Sequence, residues 1–401
     1  MFPGPGTGSE GFAGISPVRI MEEKQMNLEY NHYVAYAGTY THGSSRGIHI
    51  YDVDVEEGLL HLRKVVPVNN SSYVTVSRNR KFLYSIADEG VECFEIQPDG
   101  DLYAVNHADI NGMRGCHLST DLDGRYLFVA GYHDGKVTVM HTHQDGRLGS
   151  IMDGFFHRGQ GATNERSFRP HVCCVRITPD NRFLCAVDEG LDQVVLYKID
   201  HEANKLKQVD VLRMGRAAGS RSIHFSRDGR YAYILCDILN VVRVYRYRVV
   251  NGRPDFELEQ EVSTLSDARD PHDAASALRI SYDNEYLFCS TAGDNSVACY
   301  KIDQENGRLD RRFALPTSGI YPKDVALFPD EKHIAVVNNG QGTITTFAVD
   351  YEKGLLVMKG RPQTLDQPNC MIFHGVDAKP EVIRDVPEKE AEEKAVLIYK
   401  K

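Results

Sequence analysis

A single phrase recurs down this chain and constrains its fold more than any other feature. It consists of a short strand, a polar turn, usually a basic residue, and a run of aromatic and aliphatic residues. It reads Val76-Ser-Arg-Asn-Arg-Lys-Phe-Leu-Tyr84, Thr120-Asp-Leu-Asp-Gly-Arg-Tyr-Leu-Phe128 and Ile177-Thr-Pro-Asp-Asn-Arg-Phe-Leu-Cys185. It returns as Phe225-Ser-Arg-Asp-Gly-Arg-Tyr-Ala-Tyr233, Ile280-Ser-Tyr-Asp-Asn-Glu-Tyr-Leu-Phe288 and Leu327-Phe-Pro-Asp-Glu-Lys-His-Ile-Ala335. Asp-Gly and Asp-Asn tolerate the positive φ of a two-residue hairpin turn, which is the turn expected here. The ring positions Phe82, Tyr126, Phe183, Tyr231, Tyr286 and His333 lie 44, 57, 48, 55 and 47 residues apart. A strand-rich period of this length is that of propeller blades.

Further strands follow the phrases, among them Lys136-Val-Thr-Val-Met140, Val241-Val-Arg-Val-Tyr245 and Thr343-Ile-Thr-Thr-Phe347. The strands from Tyr33 onward have no phrase before them, and Asn369-Cys-Met-Ile-Phe373 comes after the sixth repeat. Joining the two chain ends in one blade would leave no free sheet edge. The expected fold is therefore an all-β, seven-bladed β-propeller over 31–376, one blade being closed by strands from both chain ends. The Gly-, Pro- and Glu-rich residues 1–30 read as a disordered extension, and 377–401 as a charged tail.

Blades stack into one closed unit, so the 401 residues need not be two domains. A net charge of −10 with no basic stripe argues against nucleic acid as a partner. It does not exclude a small anion, which responds to the local field of a cleft. No apolar run is long enough to span a membrane, and no secretory signal is visible. Nine cysteines, mostly within strand-like runs, read as packed free thiols, and a cytoplasmic location follows from that reading. The expected assembly is a monomer or a weak homo-oligomer.

Several segments outside the repeat carry a resemblance. They are Ala37-Gly-Thr-Tyr-Thr-His-Gly-Ser-Ser-Arg-Gly-Ile-His-Ile-Tyr51, Gly115-Cys-His-Leu-Ser119, Arg169-Pro-His-Val172 and Asp188-Glu-Gly-Leu-Asp-Gln-Val194. With the repeat phrases, they resemble the seven-bladed propeller lactonases, from about Tyr33 to Phe373. That family includes propeller-type 6-phosphogluconolactonases and a fungal 3-carboxy-cis,cis-muconate cyclase. The resemblance implies a cleft at one mouth of the central channel where a lactone ring is opened, here 6-phosphogluconolactone of the pentose phosphate route. By position it implies His171, Arg221 and Asp237 as catalytic residues. His117, Lys323, Glu89 and, from the Gly-rich loop before Pro170, Arg166 are implied around the substrate, a small anionic sugar lactone.

The chain also departs from the family's pattern. Cys173 stands where a second histidine is usual, Ser222 follows Arg221, and Ala277 and Ala292 replace an acid and an arginine. These changes keep two other readings open: a muconate or sugar-acid lactonase or cyclase of different substrate, and a binding propeller without catalysis.

Lactone hydrolysis needs a base for water, a positive group for the developing oxyanion, and a grip on the substrate. His171 suits the base, because imidazole titrates near neutral pH; otherwise it is a cleft histidine bonded to backbone. Arg221 suits the oxyanion or a phosphate, or else an inter-blade ion pair. Lys323 lacks the bidentate grip of an arginine. Strand-end acids such as Asp237 and Glu89 more often cap loops. Cys116 and His117 have no further ligand at zinc-like spacing, so neither a metal nor another cofactor is expected. The loop from Arg158 to Arg166 lacks the Gly-Lys-Ser/Thr ending of a phosphate loop, and no Gly-x-Ser-x-Gly elbow is present.

Overall fold

The computed structural model describes residues 30–161, 168–266, 270 and 272–378. Among them are twenty-eight strands, β1 to β28, in seven four-stranded antiparallel sheets. The innermost strands of six sheets are β4 (Val74–Val76), β8 (His117–Thr120), β12 (Val172–Ile177), β16 (Ser220–Phe225), β20 (Ala274–Ile280) and β24 (Pro322–Leu327). The seventh sheet has the order β28-β1-β2-β3, with β28 at Pro368–Val376 and β1, β2 and β3 at His32–Thr39, Gly47–Asp54 and Leu59–Pro67. Its last strand pairs with its first from His32 opposite Val376 to Ala37 opposite Met371. The all-β propeller of seven blades, closed by both chain ends, is thus the observed fold.

The recurring turn is longer than a two-residue hairpin. Val76 ends one strand and Phe82 begins the next, with five residues between them. The Arg80 N–H donates to Ser77 O and the Ser77 N–H to Phe82 O. Only one residue of each turn takes positive φ: Arg80, Gly124, Asn181, Gly229, Asn284 or Glu331. Asn and Gly suit that position because they tolerate the left-handed region, and the Asp before them serves another purpose. Asp180, Asp228 and Asp283 each accept from the Ser or Thr hydroxyl that opens the turn. That same hydroxyl oxygen accepts the N–H of the ring residue that follows.

The aromatic residue after the turn holds neighbouring blades together. An added Cβ at Gly146 would meet the Phe82 ring at 2.0 Å, at Gly307 the Tyr231 ring at 2.2 Å, and at Gly58 the His333 ring at 2.3 Å. Each of these glycines lies in an outer hairpin of the following blade. The Tyr126 hydroxyl hydrogen-bonds His201 Nδ1 at 3.1 Å and Tyr286 stacks on Tyr351 in equivalent places. The repeated ring thus seats against the next blade's outer turn, which only glycine or a flat partner can approach. Gly307→Ala, at φ +69, is therefore expected to cost about 2–4 kcal/mol, combining left-handed strain with overpacking. Urea unfolding measures this; a loss below about 1 kcal/mol would contradict the packing role.

Candidate active site

Side chains of a propeller strand point to its two faces and pack between blades, so only the inner edge looks into the channel. A β-bulge breaks the alternation and re-aims a side chain. Four consecutive blades carry one at the start of the inner strand. The pairing register skips between Val172 and Cys174, Ser220 and Ser222, Ala275 and Ala277, and Pro322 and Asp324. The skipped residues are Cys173, Arg221, Ser276 and Lys323. All four line a cleft of about 390 Å³ at the channel mouth where the inner strands begin.

Arg221 lies at the middle of this cleft. Its Nη1 is 3.5 Å from Asp237 Oδ2 and 3.7 Å from Glu189 Oε2, and its Nε donates to Ser276 O at 2.9 Å. Both acids are buried, whereas the Arg221 side chain is 28% exposed. Burial works against the guanidinium charge, but the carboxylates of Asp237 and Glu189 outweigh it and bind its proton more tightly than usual. The Cys173 thiol donates to Glu189 Oε2 at 3.1 Å. Burial, reinforced by Glu189, pushes that thiol well up, so Cys173 is a neutral donor rather than a thiolate. Lys323 lies over the Tyr321 ring, and Arg114, on the same cleft, donates to Asp88.

The other expected residues are distributed unevenly. His117 lines the cleft but is packed into the wall, its ring tilted against Tyr73 and its Nδ1 accepting the Val175 N–H. Burial pushes its imidazole well down, with Arg176 and Arg279 adding to the effect. His171 stands one layer back. Its ring stacks on Tyr132 at 4.3 Å, and Tyr132, not His171, faces the cleft. His171 Nδ1 lies 2.8 Å from Tyr132 O, a carbonyl that can only accept, so Nδ1 carries a proton and donates. Asp188 accepts the His171 N–H and faces His157 at 2.7 Å, which ties this segment to the blade. Glu89 is in an exposed turn outside the cleft. Arg166 lies outside the described residues. Of the departures from the family pattern, Cys173, Ser222 and Ala277 face the cleft, whereas Ala292 is buried in its blade. Sequence reasoning missed Glu189, although it lies within the quoted segment Asp188-Glu-Gly190.

A family model described as "Lactonase, 7-bladed beta-propeller" matches residues 34–373. The chain belongs to the seven-bladed beta-propeller lactonase family. It is 30% identical over 347 residues to a 6-phosphogluconolactonase of Bacillus subtilis, covering 85% of this chain and 98% of that one. A solved structure of the periplasmic gluconolactonase of Pseudomonas aeruginosa is 26% identical and superposes with a TM-score of 0.81, covering 86% of this chain and all of that one. A protein from Lactobacillus plantarum is 28% identical with a TM-score of 0.78, covering 85% and 99% of the two chains. One relative is thus periplasmic, so membership of this lactonase family does not itself fix a cellular location. No helix among the described residues is long and apolar enough to cross a membrane.

Proposed function

We propose that this propeller lactonase opens a sugar-acid lactone of the 6-phosphogluconolactone type in the Arg221 cleft. The observation that carries the reading is Arg221 itself, bulged out of β16, partly exposed, and held between two buried carboxylates. A lactone carbonyl placed against its Nη groups would develop negative charge beside a preorganised cation. Asp237 is assigned as the base that takes a proton from the attacking water and returns it to the leaving alkoxide. Glu189 keeps the guanidinium in place. His171, a layer back, is assigned to positioning, through Tyr132 and the turn into β12. Lys323 and Arg114 are the cations assigned to an acid or phosphate group of the substrate.

A second reading has its own support: a lactone without a phosphate. Glu189 and Asp237 already compensate Arg221, which leaves less positive field for a dianion.

Purified protein added to freshly generated 6-phosphogluconolactone and, separately, to glucono-lactone distinguishes the two readings. Asp237→Asn is expected to lower kcat/KM by about 100-fold or more on the true substrate, and His171→Ala by roughly tenfold. Rates no faster than spontaneous opening on both lactones would sink the proposal.

A further inference from the structure

The opposite mouth of the channel is built differently from the cleft. The recurring turns surround it, and it holds a cavity of about 530 Å³. Arg78, Arg176, Arg227 and Arg279 line this cavity, and among the described lining residues Asp121 is the one acid. Asp121 is engaged elsewhere: its Oδ1 accepts the Arg125 and Tyr126 N–H groups, and its Oδ2 lies 3.9 Å from Arg125 Nε. Arg279 is held by Asp324 at 2.7 Å. Arg227 donates to Ser281 O and covers the Tyr282 ring.

Arg176 is different. Its Nε is buried without a hydrogen-bond partner, and no ion pair with a described carboxylate involves it. Arg176, His224 and Arg279 sit near the ends of three consecutive inner strands, β12, β16 and β20, at one level of the channel. The neighbouring histidine adds no charge: burial, helped by Arg176 and Arg279, pushes His224 well below its usual range. The guanidinium is partly buried, and its buried Nε has no acceptor, an arrangement that an anion would relieve.

We propose that this mouth is a binding site for a phosphoryl group, taken by Arg176 with Arg279 and His224 beside it. The guanidinium fork matches phosphate oxygens two at a time, and the cavity is of a size that holds a small organic molecule. The ligand is inorganic phosphate or the phosphate of a small monoester. His224 and Arg279 line both this cavity and the Arg221 cleft, but Arg176 lines this cavity alone, so the inference does not rest on the lactonase reading.

Calorimetry and 31P line broadening on the full chain, with inorganic phosphate and with glucose 6-phosphate as probes, test it at constant ionic strength. Saturable binding of either probe is expected, and the tighter one identifies the source. Arg176→Met is expected to weaken binding at least about tenfold, and Arg176→Lys by less. Because Arg176→Met also removes the unmatched charge, the unliganded variant should melt at or above the wild-type temperature. Lys323→Met, which removes a cation of the cleft at the other mouth, should leave the component of binding that depends on Arg176 within about twofold. The proposal is overturned by an absence of saturable binding, by equal affinity in Arg176→Met, by loss of binding in Lys323→Met instead, or by equal stabilisation from chloride.

Discussion

Arg221→Met is expected to destabilise the protein by about 3 kcal/mol at pH 7 and to lower lactonase kcat/KM by about 100-fold or more. The stability figure is at the low end for breaking a buried ion pair, because the Arg221 side chain is partly exposed and solvent screens it. What the substitution leaves behind is the larger problem. Asp237 and Glu189, 2% and 1% exposed, would face each other with no cation between them. Two such carboxylates titrate as a pair, and the folded variant holds a proton that the unfolded chain has released. A folded state that binds more protons than the unfolded one loses stability as pH rises. The penalty should therefore be small near pH 4 and grow towards pH 8. Urea unfolding of wild type and variant at both ends of that range measures it. Equal penalties at the two ends would remove the ion pair from the account. Adding Glu189→Gln to Arg221→Met should recover part of the loss, since it relieves the repulsion that the first change exposes.

The same cleft shows where the sequence was legible and where it was not. Asp88-Glu89-Gly90 and Asp188-Glu189-Gly190 read alike, yet one glutamate is exposed and the other buried beside Arg221. The reason is strand length. Asp188 is the last residue of its strand and Glu189 follows at once, whereas Ile86 ends the earlier strand and Glu89 lies three residues beyond. Such an offset depends on hydrogen-bond register, which residue types do not encode at that resolution. The bulges that aim Cys173, Arg221 and Lys323 are hidden for the same reason. Blade number and closure were legible because they rest on a period and on alternating apolar runs, which every copy repeats. The Asp-Gly turns were misread as two-residue hairpins because their Asp was matched to a φ requirement. In Asp228-Gly229, as in the Asp-Asn turns at Asp180 and Asp283, its use is to accept the Ser or Thr hydroxyl that opens the turn.

A chain ending at Gln367, compared with one ending at Ala378, is expected to lose cooperative unfolding altogether. The shorter chain lacks β28, the inner strand of the closing blade. Met371 and Val376 are buried there, and their apolar surfaces alone contribute about 4 kcal/mol. The backbone ladder from His32 to Thr39 would lose its partner as well, turning β1 into an exposed edge. Packing alone understates the effect, because β28 also ties together three parts of the channel. The Met371 N–H donates to Asp324 at 3.0 Å, the carboxylate that holds Arg279. Asn369 Nδ2 donates to Ser72 O ahead of β4, and Asn369 and Cys370 form part of the cleft wall. Without β28 the ring would open at the joint between its first and last blades, and the cleft would lose a side. Size-exclusion chromatography and a thermal melt followed by circular dichroism distinguish the outcomes. A compact Gln367-terminated chain that still melts in one sharp transition would show that the other six blades hold the ring closed. Closure by both chain ends would then be a matter of topology and not of stability.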